Sequence, residues 1–244
     1  MKVLTAYSHK GGTGKTTTLL MLANAIAAKG RRALLIDCDP HQSFAAFRSH
    51  SMTGNRGLWY DGFDIEYLNY EKTSLERLET VLLAADDAGQ YDYALLNLAG
   101  TDHRFNRHAL RYAELTLLPF APSALDLMEL PDALSVIQSL GDDGEIGIAR
   151  VVLTKMRARM NAAQSAYIDA ALDGFPMMSS QIRDTAINGD LVMRGILSKT
   201  ITRLNAEAIG LQRGEIKRYR ETLAECVALL DEVEATIVAA EHRG

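Results

Sequence analysis

Lys10-Gly11-Gly12-Thr13-Gly14-Lys15-Thr16-Thr17 is the most informative stretch of this 244-residue sequence. It follows a short apolar run at residues 3–7 and leads into apolar residues at helical spacing, residues 19–26. A strand, a glycine-rich loop and the start of a helix form the setting in which backbone N–H groups can surround phosphate oxygens. Lys15 would place a positive charge near the β- and γ-phosphates, and the Thr16 hydroxyl is suited to hold Mg²⁺. The stretch therefore predicts a phosphate-binding loop.

Apolar runs and helical patterns alternate along nearly the whole chain. Six runs are candidate strands, at residues 3–7, 33–37, 65–68, 94–98, 115–119 and 149–154. Helical patterns occupy residues 16–29, 74–88, 104–112, 124–140, 162–172 and 215–241. Short apolar strands separated by helices predict an α/β fold, a doubly wound and mostly parallel sheet with helices on both faces. Residues 49–64 are interpreted as an irregular connection, and residues 1–244 as one domain.

Two carboxylates, Asp37 and Asp39, come at the carboxyl end of the second candidate strand. In a parallel sheet of this kind, ligands bind at the carboxyl ends of the strands, beside the expected phosphate loop. We therefore expect both carboxylates to belong to the same site as Lys15. Solvated acids that cap a helix are the alternative interpretation for either residue alone.

Charge is distributed unevenly over the sequence. The whole chain has a net charge of −5, which argues against a constitutive nucleic-acid binder. Residues 194–220 contain seven basic and two acidic residues, so this segment carries +5 and the remainder −10. Such a patch suits a conditional, weak contact with DNA. No apolar run is long enough to span a bilayer, and the distant Cys38 and Cys226 favour a reduced, cytoplasmic setting.

With a lysine at position 10, the glycine-rich loop resembles the deviant Walker A motif of the ParA/MinD superfamily. The chain resembles the short ParA type, such as ParF-like partition ATPases, and also the conjugation and T-DNA-transfer relatives. The resemblance implies that ATP is bound by the loop, residues Lys10, Gly11, Gly12, Thr13, Gly14, Lys15, Thr16 and Thr17. It also implies a homodimer in which Lys10 reaches the nucleotide of the partner subunit, so that two ATP molecules are sandwiched. Lys10, Lys15 and Asp39 would be the catalytic residues.

The resemblance extends to the metal site and the base site. Asp37 would support Mg²⁺ together with Thr16, and Asp39 would position the attacking water; His41 stands where the family usually has glutamine. Residues 91–101 resemble the Walker B strand, but Asn97 replaces the family's aspartate as a water-mediated Mg²⁺ ligand. Asn97 brings no negative charge, so we expect ATP binding to survive and hydrolysis to be slow. Thr154 and Met156 match the place where relatives surround adenine.

Arg183 and Arg213 match positions at which ParA-type proteins carry arginines that contact DNA phosphates. Lys199, Arg203 and Lys217 are further candidates for this contact. Binding of this kind is independent of DNA sequence and strongly salt-dependent. Solvated surface arginines, or ion pairs at the edge of the core, are the alternative. Residues 236–244 lack the basic amphipathic helix with which membrane-binding relatives end, so we expect no membrane partner.

Two functions remain open at this point. The first is an ATP-dependent partition ATPase that binds nonspecific DNA as an ATP dimer and is controlled by a ParB-like or relaxosome-type protein. It would be cytoplasmic and associated with the nucleoid when ATP is bound. The alternative is an ATP-gated scaffold with weak or no hydrolysis that positions a protein or relaxosome-type cargo; Asn97 is its main support. Reductases and cluster carriers with a similar loop are excluded, because Cys38 and Cys226 are not at cluster-binding positions.

Overall fold

In the part of the chain that the structure describes, one sheet of seven parallel strands organises the fold. The computed structural model describes residues 1–53, 57–70, 72–141, 147–207 and 213–242. The strands are β1 Lys2–Ala6, β2 Ala33–Asp37, β3 Phe63–Tyr67, β4 Tyr93–Asn97, β5 Leu115–Phe120, β6 Ile148–Met156 and β7 Met177–Arg183. They lie side by side in the order β3-β2-β4-β1-β5-β6-β7, and every pairing is parallel. The predicted fold class, a doubly wound parallel sheet, is confirmed.

Helices cover both faces of this sheet. They are α1 Lys15–Ala28, α2 Ser43–Met52, α3 Leu75–Asp87, α4 Arg104–Leu110, α5 Ala124–Gly141, α6 Ala162–Gly174, α7 Ala186–Gly189, α8 Leu191–Arg194, α9 Leu197–Glu207 and α10 Arg213–Glu241. Side chains alternate between the faces along each buried strand, so β1 sends Leu4 into one apolar cluster and Val3 into the other. None of the helices in the described ranges combines the length and apolar character that crossing a bilayer requires.

Helix α1, which follows the phosphate loop, is buried on nearly every side. Its residues from Thr18 to Ala27 are all buried, and α10 packs along it. Thr18 and Asn24 are the polar residues in this buried stretch, and the side-chain oxygen of Asn24 accepts the N–H of Leu197 at 2.7 Å, at the start of α9. At the end of α1, Lys29 Nζ lies 2.9 Å from a carboxylate oxygen of Glu234 on α10. The loop is therefore attached to a helix that is buried over most of its length.

The interpretation of residues 49–64 as an irregular connection was wrong at both of its ends. Residues up to Met52 continue α2, and Phe63 begins β3, while residues 54–56 lie outside the described part of the chain. Aromatic packing holds this segment in a defined conformation. The Trp59 ring contacts the rings of Phe47 and Phe63 edge-on, with centroid distances of 5.8 and 5.9 Å. Burial of these rings fixes the segment against the core.

Candidate functional site

The phosphate loop lies between the end of β1 and the start of α1. Gly12 and Gly14 have φ angles of 78° and 113°, which residues with a side chain rarely adopt. A Cβ atom on Gly14 would also lie 3.2 Å from Thr154 Cγ2, so the backbone approaches β6 closely. The N–H groups of Gly11, Gly12, Thr13 and Gly14 find no backbone acceptor among the described residues. A run of unpaired N–H groups ahead of a helix N-terminus is an anion-binding arrangement.

Side chains around the loop bind its carbonyl oxygens. Thr154 Oγ1 donates to Thr13 O at 2.9 Å, and Lys155 Nζ donates to Gly12 O at 2.6 Å. Lys15 Nζ donates to Lys10 O at 2.6 Å and to Ser8 Oγ at 3.1 Å. These loop carbonyl oxygens, which would repel a phosphate, therefore already accept hydrogen bonds from side chains. The N–H groups of the loop remain available to a ligand.

Lys15 is the most deeply placed cation of the site, with 7% of its surface exposed. Burial lowers its pKa to about 8, against the opposing effects of Asp39 and Glu129. Its two hydrogen-bond acceptors are uncharged, so no carboxylate neutralises the ammonium directly. A desolvated ammonium without a counterion is favourable for a phosphate, which would supply the missing negative charge.

Asp37 and Asn97 form a buried pair at the ends of β2 and β4. Asn97 Nδ2 donates to Asp37 Oδ1 at 2.8 Å, and the Phe44 N–H donates to Asp37 Oδ2 at 2.8 Å. Burial raises the pKa of Asp37, and these hydrogen bonds oppose the shift. The other side of the pair faces α1, because Thr16 Oγ1 lies 3.4 Å from Asn97 Oδ1. The three residues that the sequence predicted as a Mg²⁺ site therefore lie together.

Asp39, in the segment after β2, lines a cavity next to the phosphate loop. Its Oδ1 accepts the His41 N–H at 2.9 Å and lies 2.7 Å from His41 Nδ1. Gln42, the next residue, has a left-handed backbone with φ 48°. The cavity has a volume of about 600 Å³, and it is lined by Gly11, Gly12, Gly14, Lys15, Thr16, Thr17, Asp39, Pro40, His41, Ser43, Tyr70, Ala99, Gly100, Thr101, Lys155 and Gly189. The predicted catalytic residues Lys15 and Asp39 thus line one cavity.

Lys10 is directed away from that cavity, toward α5 of its own chain. Its ammonium forms an ion pair with Asp126 and a second one with Glu129, at 3.4 Å. Burial works against the charge of Lys10, but both carboxylates favour it, and the net effect raises the pKa of Lys10. Next to these acids in sequence, α5 exposes two large apolar side chains, Leu125 at 68% and Met128 at 73%. In this single chain, Lys10 has a carboxylate partner in cis.

The last three residues of β6, at 154–156, have different surroundings from one another. Thr154 is buried and bound to the loop, and Met156 packs into an apolar cluster. Lys155, which the prediction passed over, lines both the large cavity and a smaller one of about 110 Å³. The smaller cavity adjoins the loop at Gly14 and Thr17. Its position beside the loop would suit a nucleotide base.

The predicted DNA-contacting residues are not all gathered in one place. Arg183, the last residue of β7, forms an ion pair with Glu225 of α10 and lines a cavity of about 370 Å³. The same cavity is lined by Arg194 and Arg218, two arginines that were not among the predicted contacts. Arg203 lines a neighbouring cavity, also beside Arg194. Lys199, Arg213 and Lys217 line none of these cavities, and Lys217 lies 3.9 Å from Glu221.

The parallel sheet, the glycine-rich loop with its two lysines, and the buried pair of Asp37 at the end of β2 and Asn97 at the end of β4 define a class: the P-loop ATPases of ParA/MinD type. Comparison with known families narrows this. The chain belongs to the VirC1 protein family, whose model matches residues 1–239. The resemblance inferred from the sequence is confirmed.

Individual relatives agree with this assignment. Protein virC1 of Rhizobium rhizogenes is 28% identical over 211 residues, which cover 85% of this chain and 87% of that protein. The chromosome partitioning protein ParA of Caulobacter vibrioides is 33% identical over 140 residues, which cover 56% of this chain and 50% of that protein. The solved structure of apo McdA from Cyanothece aligns with a TM-score of 0.66 at 18% identity, covering 91% of this chain and 99% of that one. At this identity, the similarity to McdA concerns the fold.

Proposed function

We propose that this chain is a partition-type ATPase that binds ATP and Mg²⁺, forms an ATP-sandwich dimer and binds nonspecific DNA in that state. The observation that carries the proposal is the run of unpaired N–H groups at residues 11–14, next to the uncompensated ammonium of Lys15. Both features favour a polyphosphate over an uncharged ligand. The phosphates would be held by the loop, residues Lys10, Gly11, Gly12, Thr13, Gly14, Lys15, Thr16 and Thr17. The adenine base would lie beside Thr154 and Met156.

The donor atoms near Thr16 fit Mg²⁺. A hydroxyl, a carboxylate and an amide oxygen, from Thr16, Asp37 and Asn97, are the oxygen ligands that this ion prefers. Bound there, Mg²⁺ would neutralise charge that develops on the phosphate oxygens. Asp37 is already held by Asn97 and the Phe44 N–H, so its carboxylate is oriented before any ligand arrives.

Hydrolysis in the proposed reaction would depend on Asp39. Its carboxylate lines the cavity and would orient the water that attacks the γ-phosphate. The contact with His41 restrains the Asp39 side chain from the solvent side. Asn97 supplies no charge to the metal site, and a change of this kind typically lowers activity by about 10- to 100-fold. We therefore propose slow turnover.

Dimerisation requires Lys10 to exchange partners. In the single chain its ammonium pairs with Asp126 and Glu129, and in the proposed dimer it would approach the phosphates of the partner subunit. The exposed Leu125 and Met128 next to these acids would be covered at the same time. The negative charge of the ATP phosphates would then replace the carboxylates of Asp126 and Glu129 as the partner of the Lys10 ammonium.

The proposed DNA contact uses the basic residues near β7 and the start of α10. Arg183, Arg194 and Arg218 share one cavity, whereas Lys199, Arg203, Arg213 and Lys217 would contribute charge around it. A two-fold dimer doubles this surface, which is how a chain with a net charge of −5 could bind DNA only when dimeric. A ParB-like or relaxosome-type protein would then stimulate hydrolysis and release the DNA.

Retention on immobilised DNA of random sequence tests this proposal. The protein is compared with ATP, with ADP and without nucleotide, all with Mg²⁺, and light scattering reports its mass in each case. We expect a dimer and DNA retention with ATP only, and neither in a Lys10→Ala variant that still binds ATP. Equal retention under the three conditions would refute the ATP-controlled switch.

A second candidate function, the ATP-gated scaffold, is favoured by Asn97 alone. In that case ATP would be bound and kept, and the dimer would position a protein or relaxosome-type cargo. Measuring ATP turnover with DNA and partner separates the two functions. If the protein does not turn over ATP and Asn97→Asp does not restore activity, the scaffold is the better description.

A further inference from the structure

We propose that Lys155 braces the phosphate loop from the end of β6 and thereby sets the affinity of the site for the diphosphate part of a nucleotide. This inference rests on the nucleotide binding proposed above. It adds to the site a positioning residue that lies about 140 positions away from the loop in sequence, at a place where the motif gives no signal.

The contacts of two consecutive residues carry the inference. Thr154 binds the carbonyl oxygen of Thr13, and Lys155 binds the carbonyl oxygen of Gly12. A trans peptide group is planar, and its C=O and N–H bonds point in opposite directions. Holding the Gly12 and Thr13 carbonyls toward β6 therefore turns the N–H groups of Thr13 and Gly14 to the other side of the loop. Those N–H groups are among the unpaired donors of the proposed phosphate site.

The backbone of Lys155 is unusual for its residue type. Among the described residues, Gln42 and Lys155 are the two non-glycine residues with a left-handed φ, and the φ of Lys155 is 53°. This conformation is unfavourable for a lysine, and such positions concentrate at functional sites. The Lys155 side chain is exposed, so burial in the core does not explain the conformation. In this conformation the Lys155 ammonium contacts the Gly12 carbonyl oxygen of the loop.

The position of Lys155 agrees with this role. It lines both the cavity of about 600 Å³ and the adjoining one of about 110 Å³, and Gly14 and Thr17 line both as well. A residue between the two cavities contacts the loop at the point where a bound nucleotide would pass from phosphates to base. The ammonium also adds positive charge at the rim without entering the position occupied by Lys15.

Binding of fluorescent ATP and ADP analogues, with Mg²⁺, tests the brace. Lys155→Asn removes the ammonium while keeping a residue type that tolerates the left-handed backbone. Lys155→Arg keeps the charged donor, and Arg159→Asn is a control that removes an exposed cation from the connection that follows β6. We expect Lys155→Asn to weaken ATP and ADP equally, by about 10-fold, as for a lost charge-assisted hydrogen bond. Lys155→Arg should stay within about 3-fold of the original protein, and Arg159→Asn should be unchanged.

Three results would overturn the inference. Affinities of Lys155→Asn within twofold of the original protein would show that the loop needs no brace. Weakening of ATP alone would mean a direct γ-phosphate contact instead of loop positioning. If Lys155→Asn and Arg159→Asn lose the same affinity, the effect comes from the lower positive charge of the protein and not from the contact with the loop. If the original protein binds neither analogue, the failure belongs to the proposed nucleotide binding itself.

Discussion

Replacing Asn97 by aspartate tests the buried pair at the metal site. The change removes the hydrogen bond that Asn97 Nδ2 donates to Asp37 at 2.8 Å and puts a second carboxyl group in its place. Both positions are completely buried, so water cannot screen the two groups. Without metal, we expect Asn97→Asp to lower the free energy of unfolding by about 3 kcal/mol at pH 8. For a chain of this length, that corresponds to a decrease of roughly 9 °C in Tm.

The loss should depend on pH in a defined direction. Two adjacent buried carboxyl groups bind a shared proton more tightly in the folded protein than in the unfolded chain, so the folded pKa of the pair is raised. A raised folded pKa makes stability fall as pH rises above the unfolded pKa. The decrease in Tm should therefore be small at pH 5 and large at pH 8. Mg²⁺ should replace the proton and recover most of the loss at pH 8 in this variant.

Thermal unfolding followed by circular dichroism at both pH values, with and without Mg²⁺, measures these effects. Asn161→Asp is the matched control, because it makes the same chemical change at the N-cap of α6, where a carboxylate is well tolerated. A Tm decrease of equal size at pH 5 and pH 8, insensitive to Mg²⁺, would show that lost packing and not charge is responsible. The argument about Asp37 would then be wrong.

Three further predictions address the lysines and the basic surface. Because the pKa of Lys15 is about 8, ATP affinity should fall about tenfold per pH unit above pH 8, and a flat profile from pH 7 to 9.5 in binding titrations would contradict this. Glu129→Gln weakens the cis partner of Lys10, so light scattering should show the ATP dimer at up to about 5-fold lower ATP concentration; an unchanged threshold would show that the ion pair does not restrain the dimer. Arg213→Ala should lower the salt dependence of DNA retention by about one unit of log–log slope per subunit while leaving dimerisation intact, and an unchanged slope would remove Arg213 from the DNA surface.

The sequence predicted most of the sheet and the core of the site because those features have local signals. The glycine spacing marked the loop, and the apolar runs before Asp37 and Asn97 marked two strand ends that the sheet places in register, Asp37 opposite Asn97. Thr16 lies near Asn97 because the loop that follows β1 leads to Thr16, and β4, which ends at Asn97, is the strand next to β1. The interpretation of residues 1–244 as one domain stays a prediction.

What the sequence did not predict depends on tertiary contacts. The left-handed backbone of Lys155 has no signature in composition or periodicity, so the residue was passed over in favour of its neighbours Thr154 and Met156. The ion pair of Lys10 with Asp126 joins two segments more than a hundred residues apart. Arg194 joined Arg183 in one cavity only through the folding of the short helices after β7.

The burial of α1 on nearly every side has a practical consequence for genetics. Helix α10 packs along the helix that follows the phosphate loop, and its buried apolar seam of Ile216, Leu230 and Ile237 belongs to the same apolar cluster as α1. A random mutagenesis screen for defective alleles should therefore recover polar changes on this seam alongside changes in the loop itself. Such alleles would imitate lesions of the nucleotide pocket, although the altered side chains lie on the C-terminal helix, far along the chain.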